Sequence, residues 1–205
     1  MTWYPYNPAA GQELQTDIPG VRADRAFVAH LELSAEQAAA ADAAGVLAAV
    51  TDTGEPQEIT ASEGLSAPFY PRNITATAGG VADDIKAIQV VIEGEDMAGN
   101  VISETLPAFT ENMAGIVAGS KAFRHVSKVT IPAHDGNGAT TAIGYGNLLG
   151  LPYKLQADTV IAALHNNIRE SNPPVVATST SDISGNTIEL DTDLDGSAVD
   201  IFLIV

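Results

Sequence analysis

The chain has 205 residues, 45% hydrophobic and 17% charged, a length that buries about 70% of its extended surface around a real core. It contains no cysteine, which removes disulfide scaffolds, thiol catalysis, Cys-based zinc sites and iron–sulfur clusters. Lys plus Arg number 9 against 26 Asp plus Glu, and a net charge of −17 repels both phosphate backbones and anionic membrane surfaces, so neither nucleic acid nor membrane is an expected partner.

Residues 1–24 read as an extended arm. Trp3, Tyr4 and Tyr6 sit among Pro5, Pro8, Gly11, Pro19 and Gly20 with no helical or strand period. Large aromatics in such a segment need cover, from their own domain or from an adjacent subunit. The same opening residues lack the basic and apolar regions of a secretory signal, so synthesis in a cytoplasm is expected. Residues 25–72 form a second stretch, with a strand over 26–33 and turn-rich text over 51–72. Between them, Ser34 and Gln37 make a capping-box pattern ahead of the Ala-rich run 35–44, which predicts a short helix over 35–49.

From residue 73 to 205 the text is β-rich. Lys86, Ile88, Val90 and Ile92 alternate as one buried face, and Asp96–Asn100 is a hairpin turn from which Val101–Leu106 returns. Val126–Ile131 alternates and stops at Pro132, with a tight turn at His134–Gly138. Strands follow at Thr140–Gly144, Thr159–Leu164 and Val175–Thr178, and Gly144–Gly150 reads as a glycine-rich bend. The last element expected is a hairpin of Thr187–Leu190 and Ala198–Val205. Short strands with turn chemistry about every ten residues predict a mainly β fold, an antiparallel sandwich or barrel-like domain with an N-terminal arm and one short Ala-rich helix.

The most metal-like text is Asp191-Thr-Asp193-Leu-Asp195-Gly196, the first half of a calcium loop, making Asp191, Asp193 and Asp195 weak candidate ligands. Phe202 stands where such a loop requires its bidentate Glu, and an Asp/Gly turn explains the same residues. The four histidines, His30, His125, His134 and His165, have no zinc-hydrolase spacing, and no Gly-x-Ser-x-Gly elbow accompanies His134-Asp135. No catalytic residue and no cofactor is therefore expected. A carbohydrate-binding receptor module is an alternative function from another class, and for it Tyr145 and Tyr153 are the only plausible stacking residues.

Charge is unevenly placed. Seven acids and no base lie between Arg25 and Arg72, and again after Arg169. These runs either solvate the surface or meet the basic residues Lys121, Arg124 and Lys128 of a neighbouring copy.

Several phrases resemble structural proteins of tailed-bacteriophage virions. They are Arg72–Gly80, Asp84–Gly94, Glu104–Thr110, Gly119–Phe123, Val129–Gly136, Asn186–Gly196 and Val199–Val205. The resemblance covers about two-thirds of the chain and implies a β-rich, non-enzymatic virion component: a capsid decoration (cement) protein, a head fibre, or a tail or neck protein. For a decoration protein the implied partners are the major capsid protein and sibling subunits in a homo-oligomer, with a trimer as the candidate form, and the location is the capsid exterior after assembly in the host cytoplasm. The aromatic arm and the basic run are then the expected interface residues.

Overall fold

The computed structural model describes residues 13–15, 18–20, 22–24 and 26–205. The predicted aromatic arm residues Trp3, Tyr4 and Tyr6 lie outside the described residues. The fold is mainly β, as its alternating text predicts, and every strand pairing among the described residues is antiparallel.

The strands in chain order are β1 (Glu13–Gln15), β2 (Arg22–Asp24), β3 (Val28–Leu33), β4 (Asp42–Thr51), β5 (Gln57–Thr60), β6 (Arg72–Gly80), β7 (Val91–Glu95) and β8 (Val101–Thr105). They continue as β9 (Gly115–Phe123), β10 (His125–Ile131), β11 (Ala139–Gly150), β12 (Val160–His165), β13 (Ile168–Arg169), β14 (Val175–Ala177), β15 (Thr187–Glu189) and β16 (Val199–Ile204). β1 and β2 form a ribbon of their own. The other three sheets run β5-β10-β7-β8, β14-β15-β11-β6-β9 with β4 also on β11, and β13-β12-β16-β3. The antiparallel sheets include a curled half-barrel.

Two apolar clusters hold these sheets together. Ile74, Ala76 and Ala78 of β6 face Ile92, Val126, Val129 and Ile131 across the first, with Phe123 fully buried among them. The second joins Leu33, Val199, Ile201 and Leu203 to Leu149, Leu151 and Ile188. Strands from residues 25–72 are built into both: β3 pairs with the C-terminal β16, β4 with β11, and β5 with β10.

The helix expected over 35–49 is corrected to one turn and a strand. The capping box itself forms, the Ser34 amide donating to Gln37 Oε1 at 3.0 Å and the Gln37 amide to Ser34 Oγ at 3.4 Å. Only a single turn follows, and Asp42–Thr51 pairs instead with β11, burying Val46 and Leu47. Alanine favours a helix by tenths of a kcal/mol per residue, which sheet pairing and burial override. Gly144 shows how close this pairing is, since a methyl group there would run into the Asp42 carbonyl.

Three smaller expectations also change. Lys86 does not join the buried face of Ile88, Val90 and Ile92; its side chain is exposed and pairs with Asp135 at 2.9 Å. Gly144–Gly150 is no bend but the second half of β11, carrying a register shift against β6 between Tyr145 and Leu149. The expected C-terminal hairpin does not exist: β15 pairs with β11 and β14, whereas β16 pairs with β12 and β3 in another sheet. The loop Asp191–Gly196 thus crosses between sheets, because both strands carry apolar residues for two different neighbours.

Candidate functional site

The three loop aspartates point to three different elements. Both carboxylate oxygens of Asp191 accept from Asn172 Nδ2 at 3.0 Å, and Asp193 Oδ1 accepts from Asn147 Nδ2 at 2.6 Å. Asp195 Oδ1 accepts from the Ser197 amide at 2.8 Å and lies 3.0 Å from His165 Nε2. The Ser197 amide, and then its side chain, hold the Asp195 carboxyl below its ordinary range, with a smaller contribution from His165. Phe202, at the calcium-loop position that requires Glu, stacks on His30 with ring centroids 4.4 Å apart. Among the described residues no group of three or more His, Asp or Glu side chains is placed to hold a metal ion.

His134 and Asp135 do not act as a pair. The Lys86 amide donates to His134 Nδ1 at 3.2 Å, which places the ring proton on Nε2, where it is donated to Thr141 Oγ1 at 3.0 Å. Asp135 turns instead to Lys86 Nζ. With both ring nitrogens engaged, His134 has no lone pair free to take a proton from a substrate. Burial lowers its pKa, against the nearby carboxylates of Asp52 and Asp135. The folded state therefore resists a proton that the unfolded chain accepts near pH 6.5. The stability this contributes is complete above pH 6.5 and declines as pH falls below it. In thermal melts at pH 7.5 and 5.5, the wild-type midpoint should drop more than that of His134→Gln; equal drops would remove His134 from the pH response.

Two members of the basic run are engaged within the chain. Lys121 Nζ donates to the Ser103 carbonyl at 3.0 Å, and Lys128 lies between Glu93 at 2.9 Å and Glu58 at 3.6 Å. The Arg124 guanidinium has no ion pair among the described residues, and its exposed side chain is the one member of the run left toward solvent. Tyr145 and Tyr153 do not form an exposed platform. The Tyr145 ring lies 5.0 Å beneath the Arg72 guanidinium, and Tyr153 packs on the second apolar cluster.

What the sequence reading missed is a groove beside β12. The turn Asn166–Asn167, with φ of 52° and 60°, folds β13 back on β12, but only Leu164 pairs with Arg169 and His165 with Ile168. The Glu170 amide extends the ladder once, to the Ala163 carbonyl at 3.0 Å. Pro173 and Pro174 lack amide protons and cannot continue it. The edge of β12 from Val160 to Ala162 is left facing a groove of about 540 Å³, whose other wall is Ser171–Pro174. Arg169 Nη2 makes a long bond of 3.4 Å to the Ile161 carbonyl, and the Ile161 side chain is 48% exposed. Beyond Arg169 a second hollow of about 250 Å³ is lined by His165, Thr192 and Asp195. His165 Nε2 is buried there and, despite its distance to Asp195, is out of line for a hydrogen bond. Asn-Asn followed seven residues later by Pro-Pro was the available signal for a short, interrupted hairpin.

This arrangement offers backbone hydrogen-bonding groups and apolar contact, the means of gripping an extended chain. No protein-family model matches the sequence, and no curated protein or solved structure matches it either.

Proposed function

We propose that this chain is a non-enzymatic structural protein that works by associating with other subunits, and that it decorates the outside of a tailed-phage capsid and stabilises the shell. The observation that carries the association is the bare β12 edge and its groove, since an unpaired strand edge with exposed apolar side chains is a surface for another chain. The titratable residues with suggestive spacing are engaged in holding the fold, which supports a role by contact. The virion assignment rests on the phrases quoted from Arg72 to Val205, and a net charge of −17 suits a position facing away from packaged DNA.

The test is copy number by quantitative mass spectrometry of purified particles, relative to the major capsid protein. Hundreds of copies are expected for a decoration protein. A few to a few dozen would move the chain to the tail, neck or a fibre, and absence would overturn the virion reading.

A further inference from the structure

Resting on that reading of the chain as an assembly protein, we propose that the groove beside β12 receives residues 1–12 of a second copy, which add a strand to the edge at Val160–Ala162. Three observations select this occupant.

The first is charge. Residues 1–12 contain no Asp, Glu, Lys or Arg, although the whole chain carries −17, and the first acid is Glu13. Contact between two strongly acidic bodies is opposed by their net repulsion, and a neutral segment escapes it.

The second is hydrogen-bonding pattern. The Ile161 and Ala163 carbonyls point into the groove, as their bonds from Arg169 Nη2 and the Glu170 amide show. A strand laid on this edge presents alternate residues to it. If Tyr4 and Tyr6 face β12, Pro5 faces away, where its missing amide proton costs nothing, and Pro8 ends the pairing. A three-residue edge spans about 10 Å, within the reach of a segment that extends to about 40 Å.

The third is apolar cover. Trp3, Tyr4 and Tyr6 need burial, and the groove has exposed Ile161 on one wall and Pro173 and Pro174 on the other. Residues 1–12 precede the β1–β2 ribbon, and the chain joins this sheet only at β3, the edge opposite the groove, with β16 between β3 and β12.

The absence of native cysteine makes the test clean. Single variants Thr2→Cys, Tyr4→Cys and Tyr6→Cys of the full chain are each mixed with Ile161→Cys and oxidised, with Ser62→Cys as the remote partner. A disulfide requires Cα atoms within about 7 Å. A mixed dimer through Ile161→Cys as the main oxidised species, with none through Ser62→Cys, is the expected result. Equal cross-linking to both positions, or none to Ile161→Cys, overturns the proposal. So does a cross-link that forms only inside double variants and leaves them monomeric, which would assign the groove to the chain's own arm. Removal of residues 1–12 should also lower the mass measured by light scattering to that of the monomer, with the melting midpoint kept; an unchanged mass counts against the exchange. Failure here is separable from failure of the virion reading: particles rich in the chain with no cross-link refute only the groove, and a cross-link with no copies in particles refutes only the location.

Discussion

Replacing Arg72 by Met should destabilise the protein by about 3–5 kcal/mol, the largest effect expected of any single polar side chain here. Arg72 is 1% exposed and among the described residues forms no ion pair with a carboxylate. Burial lowers its pKa to about 10, so it remains a cation at neutral pH, opposed only by the face of Tyr145. It is kept because of the register shift in β11. Where β11 slips against β6 between Tyr145 and Leu149, the ladder leaves Gly146 and Leu148 without their partners. The Arg72 guanidinium supplies the first, donating from Nε at 2.7 Å and also from Nη2 to the Gly146 carbonyl, and its Nη1 holds the Ala39 carbonyl at 2.7 Å. Asn73 supplies the second, its Oδ1 accepting from the Leu148 amide at 3.1 Å.

Methionine fills much of the volume but leaves two half-buried carbonyls without their partner, at about 1–3 kcal/mol each. Arg72→Lys keeps the charge without the planar fork and should fall between. Urea unfolding curves measure both, with a melting midpoint lower by about 10 °C for Met at this chain length. A loss below about 1 kcal/mol for Met would mean that water replaces the guanidinium, and that the shift in β11 does not depend on it.

Asn186→Asp should rank beside it, at about 3–4 kcal/mol at neutral pH. Asn186 is 0% exposed and every hydrogen-bonding position of its amide is filled. Its Oδ1 accepts from the amides of Leu155 and Ser179, both at 2.9 Å, while Nδ2 donates to the carbonyls of Ser179 at 2.9 Å and Asp182 at 2.8 Å. Its own carbonyl accepts from the Leu151 amide at 2.8 Å. The side chain therefore ties the loop after β11 to the turn before β15, and the backbone carbonyl adds Leu151, the residue that follows β11. Aspartate keeps the size but exchanges two donors for an oxygen facing two carbonyls, a repulsion relieved only by protonation. The penalty should shrink as pH falls toward 5, the opposite trend to that expected from His134. Asn186→Ala should lose about 2–3 kcal/mol with no such pH dependence. Denaturant titrations at pH 7.5 and 5 compare the three; an Asp penalty that does not change with pH would point to packing damage rather than buried charge.

The local text carried many of the strands, but not β4, β5 or β9. Alternation over Ile85–Glu93 marked the buried face of Ile88, Val90 and Ile92, although only Val91–Glu95 is strand there, and it marked Val126–Ile131 fully. Asp96–Asn100 was legible as a turn because Asp96 bonds its own neighbours, Oδ1 accepting from the amides of Ala98 and Asn100. Even the Ser34–Gln37 capping box formed as read. Such features need only residues a few positions apart, whose geometry the backbone supplies.

What the sequence by itself determined was thus the class of fold, local turns such as Asp96–Asn100, the absence of thiol chemistry and the acidic balance of charge. Which strands pair was decided by tertiary structure alone. Asp42–Thr51 gave up its helical preference to pair with β11, and β15 and β16, only nine residues apart, joined different sheets. Pairing depends on which apolar faces meet at long range, and a period-two pattern says that a strand has such a face without saying what covers it. The same limit applies to the site. The residues of the β12 groove have no unusual chemistry in sequence, and their character comes from a ladder that Pro173 and Pro174 break off. Arg72 and Asn186 read as ordinary polar residues until the slipped register and the crossing loops enclose them.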